Sequence, residues 1–303
     1  EISPNSNLSL QVLSSVADAN ATAAVAAANN PAASNTTSLD TAGQSQVNLL
    51  IQGAVANAAN DPKSASMLAN VIRKGDQDSI GLMINTIQIA SEISPNSNLS
   101  LQVLSSVADA NATAAVAAAN NPAASNTISF DTAGQSQVNL LIQGAVANAA
   151  NDPKSASMLA NVITKSGSET INLLVDNIQT IDSQNSARGM STNQASSLSL
   201  QVLSSVADNN FENNKSFATA EQTQVNKLIV SAVANAGSNQ ADTAMLANVI
   251  TKSDTATAGT MFNTIAAVSV NNQNSNLAAN VLSSVASTVA TGTKTMSSTK
   301  MNQ

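Results

Sequence analysis

Cysteine, histidine, tryptophan and tyrosine are all absent from this 303-residue chain, and phenylalanine occurs only four times. Without cysteine there are no disulfides, no thiol chemistry and no thiolate metal sites. Without histidine the usual general base and the commonest metal ligand are gone as well. A core built without aromatics must use Ala, Val, Leu, Ile and Met, and small side chains let backbones approach closely. Charge is scarce too: 11 Lys and Arg stand against 18 Asp and Glu, a net −7 with only 10% of residues charged. No basic run occurs, so the cationic footprint of a nucleic-acid-binding protein is missing and nucleic acid is not expected as a partner. No apolar run reaches the roughly 20 residues that cross a bilayer, so no transmembrane segment is expected. The sequence opens at Glu1 with no signal-like segment, and any targeting sequence is expected to lie outside it.

What is present is apolar content and repetition. Hydrophobic residues make up 43% of the chain, which is not the signature of a disordered protein. The stretch Asn7–Asp18, NLSLQVLSSVAD, returns as Asn98–Asp109, as Ser197–Asp208 and, weakened, as Asn276–Ser287. Residues 1–72 match residues 92–163 everywhere except Thr37 against Ile128 and Leu39 against Phe130. Fixed-period similarity overrides length as a guide to organisation. The expected divisions are a first repeat at 1–91, a second at 92–182, a polar linker at 183–196, a third repeat at 197–275 with a shortened loop, and a partial repeat with a flexible tail at 276–303.

Within the first repeat the apolar spacing is helical. Leu8, Val12 and Val16 mark one segment; Val47, Ile51, Ala54, Val55 and Ala58 mark a second. A third opens on Asp61-Pro62, runs through Leu68, Val71 and Ile72, and meets Gly75 after Arg73-Lys74, so its start and stop signals agree. The fourth, Ser79–Ala90, carries Ile80, Met83, Ile84 and Ile87. The Ala-rich stretch after Asn20 extends the first helix until Asn29-Asn30-Pro31 stops it. The fold expected is therefore all-α: tandem repeats of about 91 residues, each with four short helices, stacked as a solenoid or elongated bundle. Stacking is required because isolated helices shorter than about 12–15 residues are marginal in water. A β-solenoid is the alternative, since VLSSV and NVI are β-branched. The expected core face comprises Leu8, Val12, Val16, Ile51, Val55, Leu68, Val71, Ile84 and Ile87, with their equivalents in the second repeat. A looser joint is expected around Ser183–Gln194.

Candidate chemistry is sparse. Lys63, Lys74, Lys154 and Lys165 sit at helix ends, where a lysine complements the helix dipole or stays solvated. Gly43, Gly53, Gly75 and Gly81 form no phosphate-binding pattern. Asp76-Gln77-Asp78 and Asp208–Glu212 offer oxygens to a hard cation, but neither continues into a calcium-loop spacing. The glycan acceptor triplets at Asn7, Asn20, Asn35, Asn98, Asn111 and Asn214 arise readily in so Asn/Ser/Thr-rich a chain. No catalytic residue, cofactor-binding residue or metal ligand is assigned, and no cofactor is expected.

The composition, rich in Ala, Asn, Ser, Thr and Gln, is similar to that of bacterial secreted and self-assembling filament proteins, flagellins among them, although no motif is shared. The function expected is structural and non-enzymatic: a secreted or cell-surface repeat protein that builds a fibre, ribbon or layer by head-to-tail packing of copies of itself. The alternative is an adhesin-like or scaffold module that binds a protein, a glycan or ice. Near-identity of the repeats favours assembly, because a binding face diversifies and uses Trp, Tyr and Arg. The assembly interface is expected at Leu8, Leu10, Val12 and Val16, because the first helix repeats residues that serve a junction further on; it is expected to receive either further repeats outside this sequence or the end of another copy. The C-terminal copy, with Ala279 in place of Leu10 and Asn280 in place of Gln11, reads as the modified, capped end.

Overall fold

The computed structural model describes residues 8–29, 41–58, 62–74, 77–93, 98–120, 135–149, 153–187, 196–213, 215–217, 219–237, 239–271 and 276–300. Among the described residues there are thirteen α-helices and no strand. They are α1 (Leu8–Asn29), α2 (Thr41–Ala58), α3 (Pro62–Lys74), α4 (Gln77–Ile93), α5 (Leu99–Asn120), α6 (Gln135–Ala149), α7 (Pro153–Lys165), α8 (Ser168–Ala187), α9 (Leu198–Asn213), α10 (Thr219–Asn235), α11 (Gln240–Lys252), α12 (Thr255–Asn271) and α13 (Leu277–Lys300). The β-branched VLSSV and NVI stretches lie in helices, because an i, i+3, i+4 apolar spacing can be buried only on a helical backbone.

Local chemistry sets the helix ends. Pro62 and Pro153 open α3 and α7 at the position where a missing N–H costs nothing. Arg73, Lys74 and Lys165 close those helices beside the unsatisfied carbonyls. α11 lacks the proline and is capped by Asn239, whose Oδ1 accepts the Asp242 N–H at 2.9 Å. Two ends differ from expectation. α8 continues through Ala187, so the polar stretch after Asp182 begins as helix, and the rest of that stretch, with Arg188, lies outside the described residues. At the C-terminus α13 extends as far as Lys300, so the stretch expected as a tail begins as helix.

The chain divides into two compact units, residues 1–148 and 149–303. In the first, α1, α3 and α5 lie side by side; α2 packs on α1 and α4, and α4 also meets α3 and α5. In the second, α7, α9, α11 and α13 lie side by side, and α8, α10 and α12 pack on one another in a second row. Neighbours in each row are thus alternate helices in the chain. Backbones come close where side chains are small: a Cβ added at Gly144 would lie 3.0 Å from Ser100 Oγ.

Ile51, Val55, Leu68, Val71, Ile84 and Ile87 are buried, as are Leu99, Val103, Val107, Ile142, Val146, Leu159, Val162, Val175 and Ile178 in the second repeat. Each fully buried side chain of this size contributes about 1.5–3 kcal/mol before conformational entropy is counted. Leu8, Val12 and Val16 are the correction: they are exposed, and α1 buries Leu10, Leu13 and Ala17 instead. The reason is that α1 meets its main partners, α2 and α3, through that second stripe.

Candidate assembly interface

Helix α1 carries two apolar stripes. At 100° per residue, Leu8, Val12 and Val16 cluster roughly 130° around the axis from Leu10, Leu13 and Ala17. The second stripe is closed, with Leu10 fully buried and Leu13 at 5% exposure; the first is open, with Leu8, Val12 and Val16 at 63%, 40% and 44%. Of the four residues expected at an assembly face, three therefore share an open surface, and Leu10 belongs to the chain's own core. Leu49 on α2, 68% exposed, adds to the apolar surface of the first two helices.

The same residues behave differently one repeat later. α5 has the 22-residue sequence of α1, LSLQVLSSVADANATAAVAAAN, without a single change. Its Leu99 and Val103 are fully buried and Val107 is nearly so, because α5 has α3 and α4 packed on it. The third copy, α9, packs against α7, α8, α10 and α11 and buries Leu198, Val202 and Val206.

Polar ties fix the register on the closed side of α1. Asn70 donates to Ser14 Oγ at 3.0 Å and to Asp18 Oδ1 at 3.1 Å, and Lys74 Nζ reaches Asp18 Oδ1 at 2.5 Å. The hydrogen bonds from Lys74 and Asn70 hold the Asp18 carboxyl below the usual carboxylate range. α9 and α11 repeat this arrangement: Asn248 donates to Ser204 Oγ and Asp208 Oδ1, both at 3.0 Å, and Lys252 pairs with Asp208 at 2.6 Å. An i, i+4 Ser/Asp pair thus meets an i, i+4 Asn/Lys pair on the neighbouring helix.

A different device joins α8 to α9. Asp182 Oδ1 and Oδ2 accept the N–H groups of Leu198 and Ser199 at 2.9 and 3.1 Å, capping α9 from the end of the previous helix. Burial pushes this carboxyl up, partly offset by hydrogen bonds from Ser199 and Leu198. At the corresponding α4–α5 junction Ser91 stands in place of Asp182 and shares a 2.8 Å hydrogen bond with Ser100 Oγ. A second buried carboxylate, Asp242, accepts Gly237 N–H at 2.6 Å, Asn239 Nδ2 at 2.9 Å and the Ser196 hydroxyl. By composition Asp182 stands at the edge of a polar stretch; the signal for its capping role is that it lies one repeat after Ser91, at a helix end followed by a new helix start.

Some of the remaining sequence candidates take structural roles, and others lie outside the described residues. Asp208 is held by Lys252 and Asn248, and Lys252 Nζ also sits 5.9 Å from the Phe211 ring centroid. Asp76 lies outside the described residues. Asn111, one of the glycan acceptor positions, accepts Arg73 Nε at 2.9 Å. Among the described residues no three His, Cys, Asp or Glu side chains come together as a metal site would require, and no helix is long and apolar enough to cross a membrane. A small hollow of about 20 Å³ beside α9 is lined in part by Leu203, Val206, Asn210, Phe217, Lys252 and Thr257. No protein-family model matches the chain, no curated protein sequence is similar to it, and no solved structure matches it.

Proposed function

We propose that this is a structural, non-enzymatic repeat protein that assembles head to tail, with the open stripe of α1 as one of its joining surfaces. In this reading the repeats stack as a helical solenoid, and each added copy continues the stack into a fibre, ribbon or layer outside the cell. The observation that carries it is the pair α1 and α5: one sequence, open in the first copy and covered in the second. Supporting it is the packing within each unit, where helices of the α1 type alternate along a row with helices of the α3 type, a pattern that further helices can continue. A contiguous apolar surface of this sort marks an interaction site. A contact between unlike ends that does not close into a ring propagates as a filament.

Negative-stain microscopy of the protein, concentrated and then diluted, tests the proposal. Fibres or ribbons that disappear in Val12→Asp are the expected result. Discrete single particles at every concentration would overturn it and favour a binding module instead.

A further inference from the structure

We infer that the start of α9 is held by a pH-dependent latch of two buried carboxylates, Asp182 from α8 and Asp242 from α11, closed in acid and released as the pH rises. Both side chains grip one short stretch, Ser196–Ser199. Asp182 accepts the N–H groups of Leu198 and Ser199 at 2.9 and 3.1 Å, and the Ser199 side chain also bonds to it. Asp242 accepts the hydroxyl of Ser196. Each of the two acids is only 3% exposed, and among the described residues no other charged residue is buried.

The latch stands where an earlier repeat has serines. Aligned through the repeats, Ser91 takes the place of Asp182 and Ser155 that of Asp242, and the start of α5 is joined to α4 by the neutral Ser91–Ser100 hydrogen bond. The loop before α11 changes together with its carboxylate: Gly237, Asn239 and Gln240 stand where the second repeat has Ala150, Asp152 and Pro153. Asp242 accepts Gly237 N–H at 2.6 Å and Asn239 Nδ2 at 2.9 Å. A Cβ at position 237 would lie 2.8 Å from that nitrogen and 3.1 Å from Asp242 Oδ2, so glycine is what lets the backbone come this close. Asp242 is thus the fixed arm, held in place to receive Ser196.

Asp182 is the arm that titrates. Burial pushes its carboxyl up, against the hydrogen bonds from Ser199 and Leu198. Besides Glu169 and Asp176 on α8 itself, the charged residues on the helices packed against α8 are Lys154 and Lys165 of α7, Asp208 and Glu212 of α9, and Glu221 and Lys227 of α10. Lys227 is turned to Asn172 and Asp176, and Asp208 to Lys252. Around Asp242, α12 carries no charge and α13 only Lys294 and Lys300. Burial and hydrogen bonding, rather than any of these charges, therefore set the Asp182 carboxyl.

The protonated form fits the closed latch. A neutral carboxyl donates one hydrogen, and Ser199 can turn to accept it while passing its own hydrogen to Ser197 Oγ, 3.2 Å away. The ionised form keeps its donors but holds a charge away from water, and opening the first turn of α9 relieves that cost. Because the folded carboxyl lies above its ordinary value, the latch is fully closed below that value and loosens as pH rises through the raised one. Further along, Asn248 ties Ser204 and Asp208 of α9 to α11, which confines the opening to the first turn.

Hydrogen exchange of the full chain, read by mass spectrometry and corrected for the chemical exchange rate at each pH, tests the inference. Between about pH 4 and about pH 8, protection in a fragment covering Ser196–Leu203 is expected to fall several-fold. A fragment covering Ser91–Leu104, at the start of α5, should stay level. Asp182→Asn, whose amide does not titrate, should lose the fall. Asp182→Ser, which copies the α4–α5 arrangement, takes its place if circular dichroism shows lost helicity. Asp242→Asn should lower protection at the start of α9 at every pH. Protection there that stays level or rises with pH in the unmodified chain would overturn the inference, as would a fall that survives in Asp182→Asn. A fall shared equally by every fragment would mean global loosening in place of a latch and would overturn it too. Unchanged protection in Asp242→Asn would remove the second arm, and with it the latch of two carboxylates.

Discussion

Helices α1 and α5 are one sequence in two settings. Leu8, Val12 and Val16 are 63%, 40% and 44% exposed, whereas Leu99, Val103 and Val107 are at 0%, 0% and 1%. Nothing intrinsic to the 22 residues distinguishes them. The difference is the neighbour: α5 packs under α3 and α4, and no described helix occupies that side of α1. A helix of this design has two core faces, and how many are used depends on its place in the row.

The sharpest way to break that comparison is one substitution made twice. Val103→Asp puts a carboxylate where no water reaches, and the expected cost is several kcal/mol, on the order of 3–5, or failure to fold. Val12→Asp makes the same change in the same sequence and should leave the lone chain's stability within about 0.5 kcal/mol. Urea unfolding of the two variants, at concentrations where the chain is monomeric, measures both; equal costs would contradict the account.

A second comparison sets Asp182 against Ser91. Asp182→Ala leaves two N–H groups at the start of α9 without their acceptor, an expected loss of about 1–3 kcal/mol, while Ser91→Ala removes one neutral hydrogen bond worth about 1 kcal/mol. The carboxyl also gives this junction a pH dependence. Because burial raises it, the folded chain binds that proton more tightly than the unfolded chain. Its contribution to stability is therefore greatest below the ordinary carboxylate value and declines as pH rises through the raised one. Asp182→Asn should flatten that part of the stability profile, and an unchanged slope would remove Asp182 as its source.

The smallest effect is expected at the exposed tie between Asp18 and Lys74. Here the folded carboxyl titrates below its ordinary value, so the stabilisation is present above that value and is lost as pH falls through the lowered one. With both side chains more than a third exposed, it amounts to a few tenths of a kcal/mol, about the value of a surface pair, and fades with salt. Urea midpoints of Asp18→Asn against the unmodified chain, at low and high salt, measure it.

Much of this was legible in the residues. Pro62, Arg73-Lys74 and the apolar spacing of Ile51, Val55, Ile84 and Ile87 located helices and their buried sides correctly, because turn chemistry and periodicity act locally. The open stripe of α1 was not legible. Leu8, Val12 and Val16 read as a core face, and so do Leu10, Leu13 and Ala17; periodicity identifies both and cannot say which one a neighbour covers. Leu10 was assigned to the assembly surface for the same reason. The role of Asp182 was not legible either, because composition does not register a carboxylate that reaches the backbone of the next helix. At the C-terminus, Ala279 and Asn280 suggested a polar cap, but Leu282 and Val289 are exposed there, as are Phe262 and Val270 on the preceding helix.

Because the chain has no cysteine, a single introduced thiol reports on one position without interference. The central claim is that the Val12 stripe is open in a lone chain and covered when copies join. The direct measurement is the rate at which a thiol reagent modifies Val12→Cys, compared with Val103→Cys, as protein concentration rises. The account predicts that Val12→Cys reacts quickly when dilute and slows as copies associate, while Val103→Cys stays protected throughout. A Val12→Cys thiol that is protected in the dilute monomer, or that reacts at one rate at every concentration, would contradict it.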